Sequence, residues 1–245
     1  MKKLLFQLDT DAIPSVFDTV VAYDGGADHV TAYGGITPEN VGALVDGAIF
    51  TRAPKDKKHT ALFVGGSNLP AGEALLKAVR KKFFSNFRVS VMLDSNGSNT
   101  TAAAAVACVI KSAGGSVAGK RAVVLAGTGP VGQRAAVMLA KEGAVVTITS
   151  RTLDNAQKVA DHLKTAFGTE VGAIAAPDLD TRAKACEGAQ IVFATGAASS
   201  VLLREVDWKR NPTLELMADA NATPPLGLEG IDMMDRGVTR DGKIC

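Results

Sequence analysis

Arg121-Ala-Val-Val-Leu-Ala-Gly127-Thr128-Gly129-Pro130-Val131-Gly132-Gln-Arg-Ala135 decides how the rest of the chain is read. The apolar run Ala122 to Ala126 has the length of a buried strand, and Val131, Ala135, Met138 and Leu139 then recur at helical spacing. Strand, glycine turn and helix follow one another. The spacing Gly127-x-Gly129-x-x-Gly132 suits a dinucleotide: one glycine makes the tight turn, one lets backbone approach a pyrophosphate, and one packs helix against strand. The helix that starts at Pro130 adds the free N–H groups of the non-proline residues in its first turn, Val131 among them, and the positive end of the helix dipole, and Thr128 lies in the same turn. A glycine turn of this kind also occurs in plain packing, so the flanking residues have to be weighed.

The next apolar run, Ala144 to Thr149, ends about twenty residues beyond the turn, where this fold meets the adenosine ribose. An NAD site wants an acid there to accept from the 2′-hydroxyl, but the chain reads Ser150-Arg151-Thr152. A guanidinium beside hydroxyls suits a 2′-phosphate, because arginine offers a planar, permanently charged fork to phosphate oxygens. The expected cofactor is therefore NADP rather than NAD. The alternative is a surface arginine beside a threonine that only caps a helix.

Working outward, strands and helices alternate along the whole chain. Towards the N-terminus, residues 3–8 read as a strand, and a helix follows with Ile13, Phe17, Val20 and Val21 on one face. Residues 29–33 read as a second strand, Thr37-Pro38-Glu39 as the cap of a second helix, and 48–51 as a further strand. A basic linker, 52–59, precedes a strand at 61–64, a helix opened by Pro70, a strand at 88–93 and an alanine-rich helix over 102–113. Beyond the turn the expected elements are helices 130–142, 153–166 and 178–187 and strands 144–149, 171–175, 190–194 and 214–218. The fold class is α/β, with two doubly wound parallel-sheet domains. Residues 1–105 form the substrate domain and 106–245 a Rossmann domain for NADP.

Composition narrows the function. A net charge of +2 gives no reason to invoke nucleic acid or a membrane surface. No apolar run approaches the ~20 residues of a membrane span. Three cysteines without a CxxC pair indicate neither a disulfide framework nor a zinc site, so a reducing cytoplasm is the simpler home and no metal is expected.

Ligands of parallel sheets gather at the carboxyl ends of strands. In the second domain those ends carry the glycine turn, Ser150 and Arg151, the trio Thr195, Gly196 and Ala197, and the loop opened by Asp219 and Asn221. The trio leaves room for a flat nicotinamide, or is an ordinary strand-to-helix turn. In the first domain the ends carry Asp9, Thr10 and Asp11, then Gly65 to Asn68, then Asp94 to Thr100. No Ser/His/Asp set appears, and His29, His59 and His162 read as solvated or structural.

The lack of an acid–base pair is informative. Oxidising an alcohol needs a base, whereas a carbon between two nitrogens releases hydride without one and becomes a delocalised cation. Asp94, Asp18 and Asn99 are the candidates for stabilising it, and Asp9, Asp11, Ser95, Asn96 and Thr100 for holding the substrate. Helix capping and turn formation remain the alternative for each carboxylate.

Five segments carry a family resemblance: Phe6 to Asp11, Val16 to His29, Met92 to Thr101, Ala126 to Gly132 and Asp219 to Gly227. Together they resemble the NADP-dependent methylene-tetrahydromethanopterin dehydrogenases of methylotrophic bacteria, and the stretch from Asp94 to Thr101 is more specific than the glycine turn. The resemblance implies oxidation of a methylene bridge to the methenyl cation on a reduced pterin or folate, with NADP as acceptor and no metal or flavin. It also implies a homo-oligomer, with a trimer among the assemblies allowed. Family members continue past Gly242-Lys243 with a glycine-rich stretch and a last helical segment, so the resemblance implies a chain shortened at Cys245. Two other readings stand beside it. A shikimate-type or amino-acid dehydrogenase would need a lysine–aspartate pair, and a silent NADPH-binding protein would need no chemistry at all.

Overall fold

A computed structural model describes residues 1–245, which divide into two compact units, 1–99 and 100–245. The division falls in the first turn of one helix, a few residues before the boundary expected from sequence.

The first unit carries a four-stranded sheet of β1 (Leu4–Asp9), β2 (His29–Tyr33), β3 (Thr60–Gly65) and β4 (Ser90–Leu93). Every pairing is parallel and the order is β2-β1-β3-β4. The winding reverses between β1 and β3, so Asp9 and Gly65 end adjacent strands at the switch point, where such sheets hold ligands. The core joins Leu8, Leu62 and Val64 of the sheet to Val45 and Ile49 of α2 (Gly42–Phe50) and Leu75 and Val79 of α3 (Leu69–Lys82).

Helix α2 corrects two expectations. Residues 48–51 are not a strand, because Val41, Val45, Ala48 and Ile49 are all buried and share one helical face. The helix starts only at Gly42, after Thr37 and Asn40 close a separate turn. The basic stretch is not a loose linker either: 54–59 is a 3-10 helix in which Lys57 is buried and donates to Arg52 O. Helix α1 (Val16–Asp24) buries no residue, and Val16 and Phe17 are each 75% exposed. Its apolar face is real, but it does not feed this unit's core.

The second unit begins within α4 (Ser98–Ser112), which starts four residues earlier than expected because Asp94 accepts from Asn99 N–H. It continues through β5 (Arg121–Leu125), α5 (Pro130–Lys141), β6 (Val145–Ser150), α6 (Leu153–Phe167), β7 (Gly172–Ala175), α7 (Leu179–Ala185), β8 (Ile191–Ala194), α8 (Glu205–Arg210) and β9 (Leu216–Asp219). The hairpin strands β10 (Thr239–Arg240) and β11 (Lys243–Ile244) come last. The order β10-β11-β9-β8-β5-β6-β7 contains the Rossmann arrangement, with the winding reversing at β5. Ala122 and Val124 face one core with α4, α5 and α6, while Val123 and Leu125 face another with Trp208 of α8. Alternate residues of one strand thus bury opposite faces, as double winding requires.

Three features went unread in the sequence. Helix α8 is too short for periodicity to show. The β10–β11 pair is antiparallel, so the second sheet is not purely parallel; its cue was Asp241-Gly242, both at positive φ (48° and 77°). Ala126 lies outside β5, at φ 53°. Since Ile49 is fully buried, Ile49→Ala should lower stability by about 2–5 kcal/mol. Phe50→Ala, at a half-exposed position, should cost less than about 1.5 kcal/mol. Equal losses in urea denaturation would contradict the burial of Ile49 in this unit's core.

Candidate active site

The glycine turn is built by contact. A methyl group placed on Gly127 would lie 2.9 Å from Ile148 Cβ and 2.9 Å from Val124 O, and one on Gly132 only 2.7 Å from Gly127 Cα. Both glycines are required by packing. Gly129 is different: a methyl there would meet no atom closer than 3.8 Å, so the protein itself leaves that space open. An approaching pyrophosphate would use it. Pro130 occupies the first helical position and contributes no N–H, so the donors facing outward are those of Thr128, Val131 and Gly132. Gln133 holds the turn from behind by donating to Thr128 O at 2.8 Å.

Along the carboxyl edge of the second sheet, neighbouring strands present Ser150 and Arg151 (β6), the glycine turn (β5), Thr195 to Ala197 (β8) and Asp219 to Asn221 (β9). Three strand spacings separate the first from the last, roughly 14 Å, so an extended dinucleotide can lie across all four. Arg151 is exposed. Ser150 Oγ accepts from Asn155 Nδ2, and Thr152 Oγ1 caps α6 through Asn155 N–H, so both hydroxyls are partly committed while keeping a proton to donate. Asp154, the nearest acid, pairs with Lys158 at 2.8 Å. Thr195 is engaged with the turn, donating from Oγ1 to Leu125 O at 2.9 Å. Asp219 accepts from Asn221 N–H and Leu228 N–H and organises the loop, while burial raises its carboxyl above the usual range. Asn221 Oδ1 accepts from Thr223 N–H, which fixes the amide orientation and leaves Nδ2 buried with no partner. An orphaned donor of that kind costs about 1–3 kcal/mol until something accepts from it. A carboxamide oxygen is such an acceptor, so Gly129 and Asn221 both fit a bound nicotinamide dinucleotide.

In the first unit the expected residues gather at the switch point. Asp9, 1% exposed, accepts from Asp11 N–H at 2.9 Å and Ser15 N–H at 3.0 Å. A methyl on Gly65 would lie 3.3 Å from Asp9 Oδ2 and 3.3 Å from Asp18 Oδ2, so the two carboxylates converge there. Burial raises the Asp18 carboxyl, the charges of Asp9 and Asp94 raise it further, and the Ser15 hydroxyl partly offsets them. Asp94 is buried and accepts from Asn99 N–H at 2.7 Å, while Asn99 Nδ2 donates to Leu93 O at 2.6 Å. Asp11 accepts from the Ser67 backbone and hydroxyl, joining β1 to the loop after β3.

Asn96 is exposed at φ 57°, with its N–H bound to Gly66 O, and Thr100 is an exposed residue at the start of the second unit. Ser95 departs from the reading above: it is fully buried and donates to Gly65 O, so it stitches β3 to the turn after β4. The sequence reading missed Gln7. Fully buried, its amide donates to Ser15 O at 3.2 Å and accepts from Thr19 Oγ1 at 2.8 Å, fixing α1 against β1. Its cue was one amide inside an apolar strand. Arg52 donates to Lys2 O and His59 O, and with the 3-10 helix it precedes β3, on the amino side of the strands and away from these carboxylates.

Comparison with known proteins gives the family. Residues 16–96 match the family described as methylene-tetrahydromethanopterin dehydrogenase, N-terminal, and residues 109–220 match shikimate / quinate 5-dehydrogenase. A protein of Methylorubrum extorquens, "Bifunctional protein MdtA", is 58% identical over 242 residues, 99% of this chain and 84% of that protein. A second from the same bacterium, "NAD(P)-dependent methylenetetrahydromethanopterin dehydrogenase", is 34% identical over 224 residues, 89% of this chain and 75% of that protein. The chain belongs to the methylene-tetrahydromethanopterin dehydrogenase family. Among solved structures, shikimate 5-dehydrogenase from Mycobacterium fortuitum superposes with a TM-score of 0.54 at 18% identity, over 91% of this chain and 79% of that one. That likeness concerns fold alone. Within this dehydrogenase, Cys186 is no candidate nucleophile, since burial pushes its thiol up to about 12.

Asp18 yields a prediction with a definite sign. Because its folded carboxyl is raised, the folded chain binds that proton more tightly than the unfolded chain. Stability therefore falls as pH rises from the ordinary aspartate value, about 3.9, through the raised one, and stays reduced above it. Asp18→Asn should melt above the parent at pH 7, with the gap closing towards pH 4. A lower melting temperature at pH 7 would refute this.

Proposed function

We propose that this family member is a cytoplasmic enzyme that transfers hydride from the methylene bridge of methylene-tetrahydromethanopterin, and of methylene-tetrahydrofolate, to NADP, leaving the methenyl cation. The observation that carries it is the convergence of Asp9 and Asp18 over Gly65, with Asp94 in electrostatic reach. Carboxylates gathered at one strand end favour a reaction in which the ligand becomes the cation. Asp18, Asp94 and Asn99 take the stabilising roles in this reading. Asp9 and Asp11 hold the loops that receive the pterin, with Ser95, Asn96 and Thr100 as its further contacts.

NADP, when bound, supplies the hydride acceptor. Thr128, Val131 and Gly132 would donate to its pyrophosphate, Arg151 would pair with the 2′-phosphate, and Asn221 Nδ2 would fix the carboxamide. The same reading has copies of the chain associating, and the exposed apolar side of α1 at Val16, Phe17 and Val20 favours it.

The match of residues 109–220 to shikimate / quinate 5-dehydrogenase keeps a second reading in view. It requires a lysine beside an aspartate, and neither Asp9 nor Asp18 is paired with one. Incubating the chain with NADP and each methylene carrier, and following reduced nicotinamide by absorbance, separates the cases. Turnover with a methylene carrier is the expected outcome; turnover only with shikimate, or binding without turnover, would overturn the proposal. Arg151→Ala should weaken NADP about 10- to 100-fold and leave NAD nearly unchanged. An unaltered preference would remove Arg151 from the site. Asp18→Asn should slow turnover by about 10²-fold without weakening NADP comparably.

A further inference from the structure

The most strained residue of the second unit's switch point is Ala126. It is not glycine, yet it stands at φ 53°, in the left-handed region that a side chain occupies only at a cost. Such a conformation persists when its surroundings over-determine it, and here they do. The main-chain register of β5 with β6 ends at Val124 opposite Ile148. Beyond that point a side chain takes over from the ladder, as Ala126 N–H donates to Thr149 Oγ1 at 3.0 Å. Thr149 is 1% exposed, so this hydroxyl faces the turn and not solvent. On the other side of the same residue, Ala126 O accepts from Gly129 N–H at 3.3 Å and from Thr195 Oγ1 at 3.4 Å. The turn is held at both ends of Ala126 by threonines from the strands on either side of β5.

We propose that Thr149 is a positioning residue for dinucleotide binding: its buried hydroxyl locks Ala126 in the left-handed conformation that aims the Thr128, Val131 and Gly132 N–H groups at the pyrophosphate. The inference rests on the reading of this turn as the cofactor site and goes beyond it, because Thr149 touches the protein and not the ligand. The chemistry makes a distinctive demand. NADP and NAD share the pyrophosphate and differ at the 2′-position, so a residue acting through the turn must affect both alike, whereas Arg151 must affect one.

Binding is measured by titrating each dinucleotide into the apo protein and following the fluorescence of Trp208, with isothermal calorimetry as a check. Thr149→Val keeps the shape and removes the acceptor, stranding a buried N–H. Both dissociation constants should rise together, by about tenfold. Thr149→Ser restores the acceptor and should lie within about twofold of the parent. In an Ala126→Gly background, where φ above zero carries no steric penalty, the same Thr149→Val change should weaken binding by only about threefold. This background also tests the idea if the single variant fails to fold. Amide exchange read at Ala126 in the apo protein should be slow in the parent and in Thr149→Ser and fast in Thr149→Val, independently of any cofactor.

Unchanged affinity in folded Thr149→Val would overturn the proposal, as would a loss confined to NADP or an equal loss in the Ala126→Gly background. If the parent bound neither dinucleotide, the cofactor reading would fail, while exchange at Ala126 would still decide whether Thr149 holds the turn.

Discussion

The second unit depends on how closely a helix can start against a strand. With Gly132 packed on Gly127, where a methyl would sit 2.7 Å from the neighbouring Cα, α5 begins almost in contact with the end of β5. That approach brings the first-turn N–H groups to the carboxyl edge of the sheet, where their partial positive charge is available to an anion. Any side chain at either position would push the helix away and disperse those donors. The protein needs Gly127 and Gly132 for itself and leaves the room above Gly129 open, and that difference separates a phosphate cradle from a packing turn.

The first unit is organised by charge of the opposite sign. Asp9 spends its oxygens on backbone N–H groups, which satisfies its carboxylate oxygens where it is buried. Burial raises the Asp18 carboxyl, the neighbouring Asp9 and Asp94 raise it further, and Ser15 offsets part of the rise. Gln7 and Ser15 hold α1 where this proximity is unavoidable. The unit thus retains an electrostatic tension that a cation would relieve. On the proposed reading, a delocalised methenyl cation would relieve it once hydride has left, which would favour the product side of the step over its ground state.

Much of this was legible in the residues. Alternating apolar runs at strand and helix lengths determined the α/β class and the place of nearly every element of the second unit, because each buried strand and each amphipathic helix there has its own period. The glycine spacing determined a dinucleotide turn, and the absence of an acid at Ser150-Arg151-Thr152 pointed to the phosphorylated cofactor. Periodicity failed where elements were short, as at α8 and β10–β11. It also failed where a short run suited either period: Ala48 to Phe50 became helix once Val41 and Val45 supplied the rest of the face.

What only the tertiary structure decided was which polar side chains are spent on the protein's own backbone. Ser95 and Thr195 both follow strands at ligand-binding ends, yet Ser95 binds Gly65 O and Thr195 binds Leu125 O. Thr149 looked like one more β-branched strand residue until its hydroxyl was found under Ala126 N–H. Sequence spacing reports the face a residue occupies. The partner it meets there depends on chain separated by dozens of positions, and folding alone brings that chain into reach.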